Sequence, residues 1–145
     1  MLGVMMSTCH PSQDVNLSGI VQELDVKCPI KVLPYQFGST WIIRNRAEYD
    51  AYLDSIPCTS SVNDNRGIGI GDIDFSQSSV LSFITKTHGC KVWYEREFSA
   101  EQESKTCHYV IRQRSYGDCS NEWLSTNLVE VERIPNDWVV EFQAE

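Results

Sequence analysis

Gly-Asp-Ile-Asp-Phe-Ser-Gln-Ser-Ser-Val-Leu-Ser-Phe-Ile-Thr, residues 71–85, is the stretch whose reading decides the fold. Gly71, Asp72 and Asp74 are turn formers: glycine reaches positive φ freely, and aspartate hydrogen-bonds its own backbone two residues on. Phe75 follows as an anchor. Val80, Leu81, Phe83 and Ile84 then make an almost unbroken apolar run, the pattern of a strand buried on both faces. The flanking segments must cover such a strand.

Toward the N-terminus, Thr40-Trp41-Ile42-Ile43-Arg44 reads as a second strand that runs into the clearest helix start in the chain. Asn45 stands as N-cap, and Glu48 three residues later gives capping-box spacing. Tyr49, Tyr52, Leu53 and Ile56 recur at i, i+3, i+4, i+7, one apolar stripe on a helix over residues 46–55, and Pro57 ends it. A helix this short is marginal in water and must lie on the sheet. Farther out, Gly19 to Val26 alternates imperfectly as a strand, while Pro29 and Pro34 leave residues 28–34 an edge or a loop. Residues 59–71 form a Ser, Asn, Asp and Gly loop.

Toward the C-terminus, Gly89 turns the chain into residues 91–98, where Val92, Tyr94 and Phe98 share a face that Arg96 interrupts. Residues 99–105 are a polar turn. Residues 106–114 return with Cys107, Tyr109 and Ile111 on one face and His108, Val110 and Arg112 on the other, so the pair reads as a long antiparallel hairpin. After a loop at 116–121, two last strands at 127–133 and 137–143 flank Ile134-Pro135-Asn136, with Trp138, Val140 and Phe142 on one side. Six or seven strands with one early helix make an α+β fold with a mainly antiparallel sheet. The 145 residues suffice for one domain, residues 19–145, preceded by an anchor or tether at 1–18.

A formal charge of -8 argues against nucleic acid and anionic membrane surfaces, both of which are held by Lys and Arg. Six cysteines are many for a cytosolic domain of this size and point to an oxidising compartment. Cys28 and Cys58 bracket the first strand and helix, and Cys90 and Cys119 lie at the two ends of the hairpin system. These are the expected disulfides, with Cys107 buried, although the sequence leaves other connectivities open. Met6-Ser7-Thr8-Cys9 ahead of a polar stretch is similar to a degenerate bacterial lipobox, with Cys9 lipidated and the only membrane contact made through that lipid. No basic residue precedes Lys27, so a frayed terminus with an incidental cysteine is the competing reading.

Gly67, Gly69 and Gly71 imitate a dinucleotide fingerprint, but Asp72-Ile73-Asp74 follows and would repel a pyrophosphate. Asp64, Asp72 and Asp74 lack the density and terminal Glu of a calcium loop; Asp74 is better read as accepting a backbone N–H near Ser76 or Gln77. His88-x-Cys90 and Cys107-His108 fall outside zinc spacings, since adjacent strand residues point to opposite faces. No metal or cofactor is expected. Trp41 and Trp138 belong to apolar strands and to the core. Trp93, between Lys91 and Glu95 on a polar face, joins Tyr116 and Trp123, the latter in a loop, as the candidate contact surface for a protein partner. The same aromatics suit a carbohydrate or small ligand, and a hydrolase built on Asp72, Asp74, His88 or His108 is a second alternative.

The succession Trp-Ile-Ile strand, Glu-Tyr-x-x-Tyr-Leu helix, Asp74-Phe75-Ser76 with Val80-Leu81, a Gly-Cys turn into a hairpin, and a terminal Trp-Val-Val-Glu-Phe resembles small envelope lipoproteins of Bacteroidota. It looks most like the C-terminal domain of the protease-complex subunit PrcB. The resemblance spans roughly residues 41–142, with Thr87-His88-Gly89-Cys90 where that family carries a Gly-Gly-Tyr-type turn. It implies a non-enzymatic accessory or stabilising module in the bacterial envelope, periplasmic or associated with the outer membrane. It transfers no catalytic residues.

Overall fold

A computed structural model describes residues 19–24, 27–29, 37–55 and 73–145. The tether with Cys9, the glycine loop at 59–71, Asp72, Cys58 and the side chain of Cys28 lie outside the described residues, and with them the Cys28–Cys58 pairing.

The described elements are β1 (Ile20–Glu23), β2 (Lys27–Pro29), β3 (Thr40–Ile43), α1 (Arg46–Ser55), β4 (Ser78–Phe83), β5 (Thr85–His88), β6 (Lys91–Glu101), β7 (Thr106–Tyr116), β8 (Glu122–Ser125), β9 (Val129–Glu132) and β10 (Val139–Ala144). They form three sheets, ordered β1-β9-β4-β3, β10-β7-β6 and β2-β8-β5. The class is α+β with mainly antiparallel pairing. Among the described residues no helix is long and apolar enough to cross a membrane.

β4 is interior, as its composition requires, and its alternate residues serve two different cores. Val80 stands opposite Ile43 and Glu130, while Leu81 stands opposite Ile42 and Val129. Val80 and Ile43 pack with Tyr49 and Tyr52 of α1. Leu81 and Val129 pack with Phe98, Tyr109, Ile111 and Trp138 beneath the hairpin. The molecule therefore has three layers, helix on central sheet on hairpin sheet, and Val80 and Leu81 are both fully buried. The serines of β4 are satisfied within it: Ser82 Oγ donates to Thr126 O and accepts from Tyr52 Oη, each at 2.7 Å, and Ser79 Oγ accepts from Ile134 N at 2.9 Å.

Asn45 Oδ1 accepts from Glu48 N at 2.8 Å, the N-cap read from the sequence. Glu48 Oε1 reaches past the cap to Arg44 N at 2.7 Å. Asp74 closes its turn by accepting from Ser76 N at 3.0 Å and Ser76 Oγ at 2.6 Å.

Ten strands are described, more than six or seven, and the difference has physical causes. β2, β5 and β8 are three or four residues long, too short to show an alternation, and pair only with one another. Trp123, expected in a loop, lies in β8. The hairpin also runs farther than the polar turn suggested, because Ser99, Ala100 and Glu101 pair with His108, Cys107 and Thr106. The two last strands part: β9 enters the central sheet, and β10 joins the hairpin sheet parallel to β7. Buried Ile134 and Trp138 anchor the crossing between layers. Asn127, expected at the start of a strand, is left-handed, with φ 48°.

Candidate contact surface

Register places the exposed aromatics. Lys91 pairs with Tyr116, Trp93 with Arg114 and Glu95 with Arg112, so these six side chains share the outward face of β6 and β7. Trp93 is 45% exposed and Tyr116 71%. Among the described residues no ring stacks on either and no cation lies over either.

The base under them is braced. A disulfide joins Cys90 to Cys119, with Cα atoms 4.7 Å apart, as in proteins matured in an oxidising compartment. Cys90 N donates to Tyr116 O and Gly89 N to Asn121 O, both at 3.0 Å. Gly117 has φ 91°, and a Cβ there would sit 2.5 Å from Cys90 Sγ, so only glycine lets the chain pass over the sulfur.

Trp123 is not part of this patch. It lies opposite Thr87 across β5 and β8, and Thr87 Oγ1 donates to Gln113, a residue of β7 two positions beyond buried Ile111. Trp123 is therefore on the inner side of the hairpin sheet, half-buried, with its indole N–H donating to Gly89 O at 2.8 Å. It supports the turn from beneath, while Trp93 and Tyr116 face outward.

Much of the rest of the outward face is taken up by close contacts between basic side chains and carboxylates. Arg112 lies between Glu97 at 3.1 Å and Glu145 at 3.2 Å, and these two hold its guanidinium pKa above the ordinary value. His108 lies 3.3 Å from Glu141 and 4.0 Å from Glu101. Arg114 meets Glu95 at 3.5 Å. At the far tip, residues Glu101 to Ser104 line an open cavity of about 330 Å³ with no aromatic side chain in it.

Among the described residues the other candidate groups, Asp74, His88 and His108, lie apart. His88 pairs with Glu122 at 2.9 Å on the third sheet, His108 is on the hairpin face, and Asp74 is engaged in its own turn. The hydrogen bonds from Ser76 hold the Asp74 carboxyl below its usual range. Cys107 faces inward, and burial pushes its thiol up to about 11, away from the reactive thiolate. Among the described residues no group of His, Cys, Asp or Glu is arranged to hold a metal ion.

Lys91 and Arg114 are the members of the patch that the sequence reading passed over. Their only signal is the hairpin register, which sets each one opposite a ring. No protein family, curated protein or solved structure matches this chain.

Proposed function

We propose that this protein is a non-enzymatic binding module of the bacterial envelope that holds a protein partner on the Trp93–Tyr116 end of its hairpin sheet. The observation that carries the reading is two open aromatic rings, diagonal to one another on the same face of a disulfide-braced sheet end. Trp and Tyr contribute most per residue to protein interfaces, and a pre-ordered base lowers the entropy lost on association. The extracytoplasmic setting draws on the disulfide, and the envelope on the resemblance to PrcB and on the Cys9 lipobox reading. A protein partner suits this surface better than a small ligand, because the patch is the outward face of a sheet and small-ligand sites are concave.

The test is affinity capture from a native envelope fraction with the full chain and with its Trp93→Ala/Tyr116→Ala variant, the fold of each being checked by circular dichroism. Loss of the captured partner, by at least about tenfold, is expected for the variant, since hot-spot aromatics are worth ~2 kcal/mol or more each. Equal capture by both proteins would remove the contact surface from this end of the hairpin.

A further inference from the structure

Resting on that reading, we infer that the segment received by the Trp93–Tyr116 surface is a carboxylate-rich stretch of polypeptide. Each ring stands directly across the strand pair from a cation: Tyr116 from Lys91, and Trp93 from Arg114. Lys91 has no ion-pair partner among the described residues. Among the described residues Arg114 has one ion-pair partner, Glu95, at 3.5 Å, with side chains 45% and 58% exposed, and its Nη1 donates to Gln113 O at 3.2 Å. An exposed pair of that kind is worth little and yields readily to a competing carboxylate. Farther along the same face Arg112 is engaged by two carboxylates, and at the far turn Lys105 is engaged by Asp137 at 3.0 Å.

The face is therefore divided: cations with spare valence at the disulfide end, neutralised pairs and acids beyond. The formal charge of -8 does not reverse this, because charges farther than a Debye length of about 8 Å are screened at physiological salt. The acids nearest in sequence are Glu95, already shared with Arg114, and Asp118, two residues past Tyr116. A neutral partner that covered the rings would desolvate Lys91 without replacing its water, whereas an Asp or Glu side chain would pair with it. The Arg114 guanidinium can exchange Glu95 for an incoming carboxylate, and the rings take the apolar stems between acidic side chains.

A displayed random-peptide library tests this, selected on the oxidised full chain and counter-selected on the folded Trp93→Ala/Tyr116→Ala variant. The retained peptides are expected to be enriched in Asp and Glu. A synthetic copy of one should bind Lys91→Ala/Arg114→Ala at least about tenfold more weakly, because two charge-assisted contacts are lost. Both replaced side chains are on the exposed sheet face, so that variant keeps its core. Peptides that need the rings but show no acidic enrichment, or are indifferent to Lys91 and Arg114, overturn the inference and leave the contact surface standing. Peptides that bind the ring-less variant equally, or a library with no ring-dependent binder, overturn both. Retardation of the chain in alginate gels that Trp93→Ala abolishes, without ring-dependent peptides, would assign the surface to an acidic polysaccharide and overturn the inference.

Discussion

Asn127 shows how much one residue can be asked to join. Its Nδ2 donates to Phe83 O at 2.8 Å and Thr85 Oγ1 at 2.9 Å, its Oδ1 accepts from Arg96 Nε at 2.9 Å, and its carbonyl accepts from Tyr109 Oη at 2.7 Å. Asparagine tolerates the left-handed backbone required here better than most residues. Arg96 is satisfied from the same place: only 4% of its side chain is exposed, and it donates on to Ser125 Oγ and to Glu23. Tyr49 is the contrasting case, a fully buried residue whose hydroxyl has no hydrogen-bond partner among the described residues. Burial pushes its pKa from 10.0 to about 12, Arg46 opposing and Asp50 and Glu130 reinforcing. Cys107 is likewise raised, from 9.0 to about 11. Both groups release their protons more readily in the unfolded chain. The stability they contribute is complete below pH 9.0 and is lost as pH climbs through about 12. Tyr49→Phe is expected to raise stability at neutral pH by about 1 kcal/mol and to flatten the upper part of the alkaline decline. Urea midpoints between pH 7 and 12 check this, and an unchanged alkaline slope would refute it.

At the scale of the element, the hairpin is closed at both ends, by the turn at 102–105 and by the disulfide across its base. A bridge over a separation of 29 residues removes loop-closure entropy worth about 3–4 kcal/mol from the unfolded chain. Cys90→Ser/Cys119→Ser should lower the unfolding free energy by about 3 kcal/mol, with the hairpin register kept. A thiol reductant should bring the parent chain to the variant's denaturant midpoint and leave the variant unmoved; no effect on the parent would contradict the assignment. The helix depends on its neighbours in another way, since its length is marginal alone and its buried tyrosines lie against β3 and β4.

At the scale of the whole molecule, β4 belongs to both cores, so the two are expected to melt together. Leu81→Ala is expected to cost about 3 kcal/mol, whereas Val21→Ala, on an exposed edge, should change stability by less than about 0.5 kcal/mol. Trp41 packs against the helix-side core and Trp138 belongs to the hairpin-side core. Fluorescence of chains keeping one of these tryptophans should therefore give coincident urea midpoints. Separate midpoints would show that the layers unfold independently.

How much of this was legible depended on the length of each pattern. An almost unbroken apolar run, a capped stripe of tyrosines and two long alternating segments are local signals, and they yield β4, α1 and the β6–β7 hairpin in nearly their observed places. They also identify Trp93 as a residue on an outward face, whereas Tyr116, expected in the loop at 116–121, is the last residue of β7. The parallel seating of β10 on β7, the third sheet of very short strands and the left-handed Asn127 depend on partners distant in sequence, so no local pattern could announce them. The same holds for the surface: the rings were visible as residues, but the exclusion of Trp123 and the placing of Lys91 and Arg114 opposite the rings were decided by strand register. The chain by itself determined which residues must be buried and which helix must form, because burial and capping follow from side-chain type and spacing. Tertiary structure alone decided which strands became neighbours, because pairing is a competition among distant segments for the same backbone hydrogen bonds.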